Sequence, residues 1–109
     1  MKVREMAQKL SLTPIAVSDD EREFSGTYIG DLLSWVMGRA EHDNVWITIM
    51  SNINIVAVAS LADVACIVLA EGVTLEDHVR ATAEQKGVNV YTSEKTAYEL
   101  AAALASLQA

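Results

Sequence analysis

The spacing of apolar positions changes along the chain, and each change marks an element. Val3, Met6, Ala7 and Leu10 recur at i, i+3, i+4 and i+7, the stripe of a short amphipathic helix. Pro14 forbids its continuation, and Ile15-Ala16-Val17 reads as a short strand. After the polar turn 18–21, residues 22–29 favour β structure through Phe24, Tyr28 and Ile29, interrupted by Gly26 and Gly30. Asp31 is placed to cap a helix with Leu32, Leu33, Val36 and Met37 on its apolar face, ended by Gly38 and the polar cluster 39–44. Residues 45–50 form the clearest strand, and 55–62 read as a helix apolar nearly all round. Asp63 then punctuates, and 64–70 is a second continuous apolar strand. Thr74-Leu75-Glu76-Asp77 resembles a capping box for a helix presenting Leu75, Val79, Thr82 and Ala83 inward and closed by Gly87. Val88-Asn89-Val90-Tyr91 is a third strand. Ser93 is placed to cap a last helix striped by Ala97, Leu100, Ala101, Leu104 and Leu107.

Strands without alternation are buried on both faces, which marks a parallel sheet covered by helices. Repeated strand–helix succession is the grammar of βαβ crossovers. The predicted fold is therefore an α/β, three-layer α/β/α sandwich on a mostly parallel sheet of about four to five strands, with residues 1–109 forming a single domain.

Composition narrows the function classes. The chain has 109 residues, 51% hydrophobic and 21% charged, enough to bury a core. Eight Lys and Arg against fifteen Asp and Glu leave a formal charge of −7, which repels a phosphate backbone and excludes nucleic acid as the expected partner. The first helix looks like the opening of a helix-turn-helix, but Pro14 and a β-type run stand where a recognition helix would be. The apolar run 53–70 is long enough to span a membrane, yet it contains Asn54, Ser60 and Asp63. A mid-span Asp costs about 2.5–3.5 kcal/mol, so no membrane partner is expected. Cys66 is alone in an apolar run, which reads as a core thiol suited to a reducing cytoplasm. The charged N-terminus gives no sign of secretion.

Catalytic sets are missing from the pattern. His42 lies in a polar loop and His78 on a helix, both expected to be solvated, and neither belongs to a paired metal motif. No metal or other cofactor is expected, and no nucleophile has an evident base and orienter. Gly26-Thr27-Tyr28-Ile29-Gly30 lacks the lysine and spacing of a phosphate loop. In an open α/β sheet, ligands sit outside the carboxyl ends of the strands. That edge gathers Ser51, Asn52, Asn54, Glu71, Gly72, Thr92 and Ser93, which suit either a small polar ligand or turns and caps.

The chain also resembles the DRTGG domain family. The carriers are Asp20-Glu21-Arg22-Glu23-Phe24-Ser25-Gly26-Thr27-Tyr28-Ile29-Gly30-Asp31-Leu32-Leu33, then Val45-Trp46-Ile47-Thr48 with Asn54-Ile55-Val56-Ala57-Val58-Ala59. Ile67-Val68-Leu69-Ala70-Glu71-Gly72, Gly87-Val88-Asn89-Val90-Tyr91-Thr92-Ser93 and Thr96-Ala97-Tyr98-Glu99-Leu100 complete the likeness. The naming motif is degenerate: Glu21 separates Asp20 from Arg22, Ser25 precedes Gly26-Thr27, and one glycine stands where a pair is expected. The resemblance implies a fold related to the N-terminal domain of HPr kinase/phosphorylase. It also implies a non-catalytic regulatory or dimerising domain without a defined ligand. Two expectations follow. One is a cytoplasmic homodimer, docking through Tyr28, Trp35 and Met37 or serving a regulatory protein partner; core burial is the other reading of Trp35. The alternative is a small-molecule sensor, its ligand a nucleotide in one version, using the carboxyl-edge residues.

Overall fold

The computed structural model describes residues 1–108. The elements follow in the order α1 (Val3–Lys9), β1 (Thr13–Ala16), β2 (Thr27–Ile29), α2 (Leu33–Arg39), β3 (Val45–Thr48), α3 (Asn54–Ala62), β4 (Cys66–Leu69), α4 (Asp77–Lys86), β5 (Val90–Thr92) and α5 (Ala97–Gln108). The strands form one five-stranded sheet in the order β1-β5-β4-β3-β2. Strands β2, β3, β4 and β5 run parallel, while β1 closes one edge antiparallel to β5. The sandwich expected from the unbroken apolar strands is the fold observed.

Side-chain alternation divides the core into two layers. Val45, Ile47, Cys66, Val68 and Tyr91 point to the α1–α5 side, where Val3, Met6, Leu10, Leu100 and Leu104 cover them. Trp46, Ile67, Leu69 and Val90 point the other way, under Val36 of α2, Ile55, Val56 and Ala59 of α3, and Val79 and Ala83 of α4. Every residue of β3, β4 and β5 is buried, so tertiary packing dictates their continuous apolar character.

Several element ends differ from expectation because a side chain found a tertiary partner. Asp31 does not cap α2; its carboxylate accepts from Thr48 Oγ1 at 2.7 Å and from the Ile49 amide at 3.0 Å. Gly38 lies inside α2 rather than ending it, and Leu32 and Met37 face outward. α4 begins at Asp77 with Glu76 at its cap position, so Thr74 starts no capping box and Leu75 precedes the helix. α5 is capped by Thr96, not Ser93: Thr96 Oγ1 accepts from the Glu99 amide at 3.2 Å, and Glu99 Oε1 accepts from the Thr96 amide at 3.0 Å. Within the β-favouring stretch 22–29, only Thr27–Ile29 forms a strand.

Candidate functional site

The carboxyl edge of the parallel strands carries an open cleft of about 390 Å³. Ser51, Asn52 and Ile53 form one wall and Thr74, Glu76, His78 and Val79 the other. The walls are the starts of two consecutive crossovers, since β3 leads into α3 and β4 into α4. Asn52 shapes its wall, its carboxamide oxygen accepting from the Asn54 amide at 2.9 Å. Asp31 closes the adjoining end of β3 through its bonds to Thr48 and Ile49, leaving the opening between the β3 and β4 ends.

The seven edge residues singled out from the sequence do not converge. Ser51 and Asn52 line the cleft, while Asn54 lines an adjoining groove between α3 and α4 that meets the cleft at Ile53. Glu71, Gly72, Thr92 and Ser93 knit the two neighbouring turns together. The Glu71 amide donates to Lys95 O and the Gly72 amide to Ser93 O, both at 2.8 Å. Buried Thr92 donates its hydroxyl to Val73 O at 2.6 Å, and Ser93 Oγ accepts from the Lys95 amide at 3.1 Å. Gly72 has φ +74°, a conformation that favours glycine, while the Glu94 carboxylate that a Cβ there would meet at 2.7 Å is the free end of an exposed side chain and can move aside. Thr74, Glu76 and His78 were not foreseen as site residues. Their signal was positional, because they open the crossover next to the one opened by Ser51.

The lining supplies amide, hydroxyl, imidazole and carboxylate groups, with exposed His78 Nδ1 3.4 Å from Glu76 Oε2. These groups can orient a polar molecule by hydrogen bonds. Among the described residues no three His, Cys, Asp or Glu side chains gather to hold a metal ion. No helix among them is long and apolar enough to cross a membrane.

The motif residues lie at the opposite, amino edge. Arg22 Nη2 donates to Asp43 Oδ1 and to Asp63 O, each at 2.7 Å, and Nε reaches Asp43 Oδ1 at 3.0 Å. Burial works against the Arg22 charge, but the hydrogen bonds and charges of Asp43 and Asp63 outweigh it and raise its pKa above the ordinary value. His42 sits against the same two carboxylates, Nδ1 2.8 Å from Asp63 and Nε2 3.0 Å from Asp43. Asp20 O accepts the Arg4 amide at 2.8 Å, and the Ser25 amide donates to Asp43 O at 2.9 Å. Gly26, at φ +77°, leaves only 3.0 Å between a would-be Cβ and Asn44 Nδ2, and Thr27 opens β2 with its hydroxyl buried and unpartnered.

A third region surrounds α2. Trp35 is 53% exposed, with the Arg39 guanidinium 3.8 Å from its ring centroid, so it is not a core residue. Trp46 takes the core position instead, fully buried and donating to Gly30 O at 2.9 Å. Tyr28 is half-buried against the α2–α3–α4 layer, and Met37 is exposed.

No curated protein matches the chain. Among solved structures, it is similar to the CBS and DRTGG domains of the regulatory region of Clostridium perfringens pyrophosphatase complexed with the activator diadenosine tetraphosphate. That likeness has a TM-score of 0.78 at 12% identity, covering 94% of this chain and 45% of the other. The chain thus spans less than half the length of that structure, and at such identity the likeness is one of fold. The family model of the DRTGG domain matches residues 17–107, which take in the amino-edge residues, the whole parallel sheet and the cleft. The chain belongs to the DRTGG domain family.

Proposed function

We propose that the chain is a single, non-catalytic regulatory domain of the cytoplasm that self-associates through the β2–α2 edge. The observation carrying this reading is a set of exposed apolar side chains beside an open strand: Ile29 (49%), Leu32 (59%), Trp35 (53%) and Met37 (39%). Leu32 and Trp35 are three residues apart at the start of α2 and share one face. β2 is an edge strand. The Gly26 carbonyl and Gly30 amide both bond to β3, so period-two alternation turns the backbone groups of Thr27 and Ile29 outward. The other edge, β1, is blunted by Pro14 and by an irregular register between Pro14 and Ala16. Trp and Met are favoured anchors at protein interfaces.

Equilibrium sedimentation tests the reading. The parent is expected to be a homodimer, and Trp35→Ala a folded protein with weaker association. Losing one central Trp costs about 2–4 kcal/mol, roughly a 30- to 1000-fold rise in the dimer Kd. A parent monomeric at high concentration, or a variant that associates as tightly, would overturn the proposal.

The cleft supports a second reading, a small-molecule sensor at the carboxyl edge with Ser51 and Asn52 as recognition groups. The solved neighbour's regulatory region binds a dinucleotide activator, which makes adenine and guanine nucleotides the first ligands to try. A nucleotide that binds the folded state raises the melting temperature, and Asn52→Ala should abolish that rise. If no nucleotide shifts the melting temperature, the sensor reading fails for that class.

A further inference from the structure

We infer that the groove between α3 and α4, which adjoins the cleft at Ile53 but shares no other lining residue with it, is a binding site for a small amphipathic carboxylate. The molecule's apolar body would lie on α3 and its carboxylate would face Lys86. The groove encloses about 380 Å³ and is lined by Ile53, Val56, Ala57 and Leu61, with Asn54, Ser60, Thr82 and Lys86 around them. That volume falls within the range of small-molecule sites, and an apolar floor with few polar groups is their usual composition.

The apolar side of the argument rests on α3. This helix is apolar nearly all round, and its outer face is left uncovered: Ile53 and Leu61 are exposed, with Ala57 between them. On the facing wall, Thr82 donates its hydroxyl to His78 O at 2.9 Å within α4, so that donor is already satisfied.

The charge argument rests on Lys86. In a chain of fifteen acids and eight bases, no Asp or Glu lines this groove. Of the other seven bases, five are committed, and Lys9 and Lys95, which form no ion pair among the described residues, line neither this groove nor the cleft. Lys2 and Arg4 share Glu21, Arg22 binds Asp43 and Asp63, Arg80 pairs with Asp77, and Arg39 lies over Trp35. Lys86 has no ion-pair partner among the described residues and stands beside the apolar floor. One cation over an apolar floor selects a monoanion with a hydrophobic body. A polyphosphate would lack counter-charge there, and an uncharged molecule would leave Lys86 without a role in recognition. Lys86 also occupies the last turn of α4, where a cation complements the helix dipole. That role alone would not distinguish an acid from its amide.

The test is an amide-shift NMR titration of the full chain with 4-phenylbutyrate and, in parallel, with 4-phenylbutyramide. The acid is expected to move the amides of Asn54, Ala57, Ser60, Leu61 and Thr82, and to bind about three- to tenfold more tightly than the amide, the range for one partly exposed charge-assisted contact. Lys86→Met should erase the difference between the two probes, and Ala57→Phe, filling the groove from an exposed position, should weaken both. Equal binding of acid and amide by the parent, or a preference that survives Lys86→Met, would overturn the inference. Shifts confined to Ser51, Asn52 and His78 would also overturn it while leaving the cleft reading intact. Shifts confined to the Trp35 face, or none at all, would overturn it without bearing on self-association.

Discussion

Asn89 offers a sharp test of the structural reasoning, because its side chain is 3% exposed and every hydrogen-bonding position on it is used. Its oxygen accepts from the Ser18 amide at 2.8 Å and the Asp19 amide at 3.0 Å. Its nitrogen donates to Asp19 O at 2.8 Å and to Ala65 O at 3.1 Å. One carboxamide thereby ties the segment after β1 to the entrances of β4 and β5. At about 1 kcal/mol net per bond, deletion of all four gives an upper bound near 4 kcal/mol. Ser18 and Asp19 are exposed, so water can replace much of what they lose, whereas Ala65 O is buried and cannot be resolvated cheaply. Asn89→Ala should therefore cost about 2–3 kcal/mol, or on the order of 10 °C in melting temperature. Asn89→Asp keeps the two accepted bonds but sets a charged oxygen against Asp19 O and Ala65 O, so it should be at least as damaging at neutral pH. Urea unfolding read by circular dichroism would show a lowered midpoint with an unchanged slope. A loss below about 0.5 kcal/mol, or an Asp variant milder than the Ala variant, would refute the argument.

Two further predictions follow from titratable groups. Burial pushes the Cys66 thiol up to about 12, so a thiol reagent at pH 8 should label the native protein only as fast as it unfolds; rapid stoichiometric labelling would contradict the packing of β4. The carboxyls of Glu5, Glu21, Asp63 and Glu99 are each held below their ordinary values: Glu5 by the Lys2 amide, Glu21 by Arg4 and then Lys2, Asp63 by His42 and then Arg22, and Glu99 by the Thr96 amide. A carboxyl whose folded pKa is depressed contributes stability above its unfolded value, and that contribution is lost as pH falls through the folded value. The ordinary values are 4.5 for Glu and 3.8 for Asp, so the urea midpoint should hold from pH 7 to about 5 and fall below about 4. A midpoint unchanged at pH 3 would show that these contacts contribute nothing.

The fold was legible where burial alone writes the sequence. Residues 45–50 and 64–70 carry no alternation because helices cover both faces of β3 and β4, and the parallel architecture followed from that one feature. Helix ends were less legible, since an Asp or Ser that could cap a helix can equally serve a distant backbone. Asp31 is the example: seventeen residues from its partner Thr48, it bonds the end of β3 rather than the first turn of α2. Asn89 was hidden for the same reason, its partners Ser18 and Asp19 lying about seventy residues away. The interior and exterior of α2 were likewise ambiguous, because Leu32, Leu33, Val36 and Met37 are all apolar. Only the packing shows that Val36 is buried while Leu32 and Met37 face out.

In this chain the two edges of the sheet separate the family-motif residues from the cleft proposed to meet a ligand. Arg22, Ser25 and Gly26 mark the family resemblance, and at the amino edge the bonds of Arg22 and Ser25 go to Asp43, Asp63 and Asn44 and that of Gly26 to Val45, so the chain's own loops and β3 satisfy them. The open cleft lies at the other end of the strands, bordered by Ser51, Asn52, Thr74, Glu76 and His78. Only Asn52 among these side chains holds backbone in place, through the Asn54 amide. Residues committed to the chain's own backbone change the fold when altered, whereas residues on an open wall can change without cost to packing. In this chain, then, the motif residues are spent on architecture, and the proposed ligand chemistry falls on other residues, those lining the cleft and the α3–α4 groove.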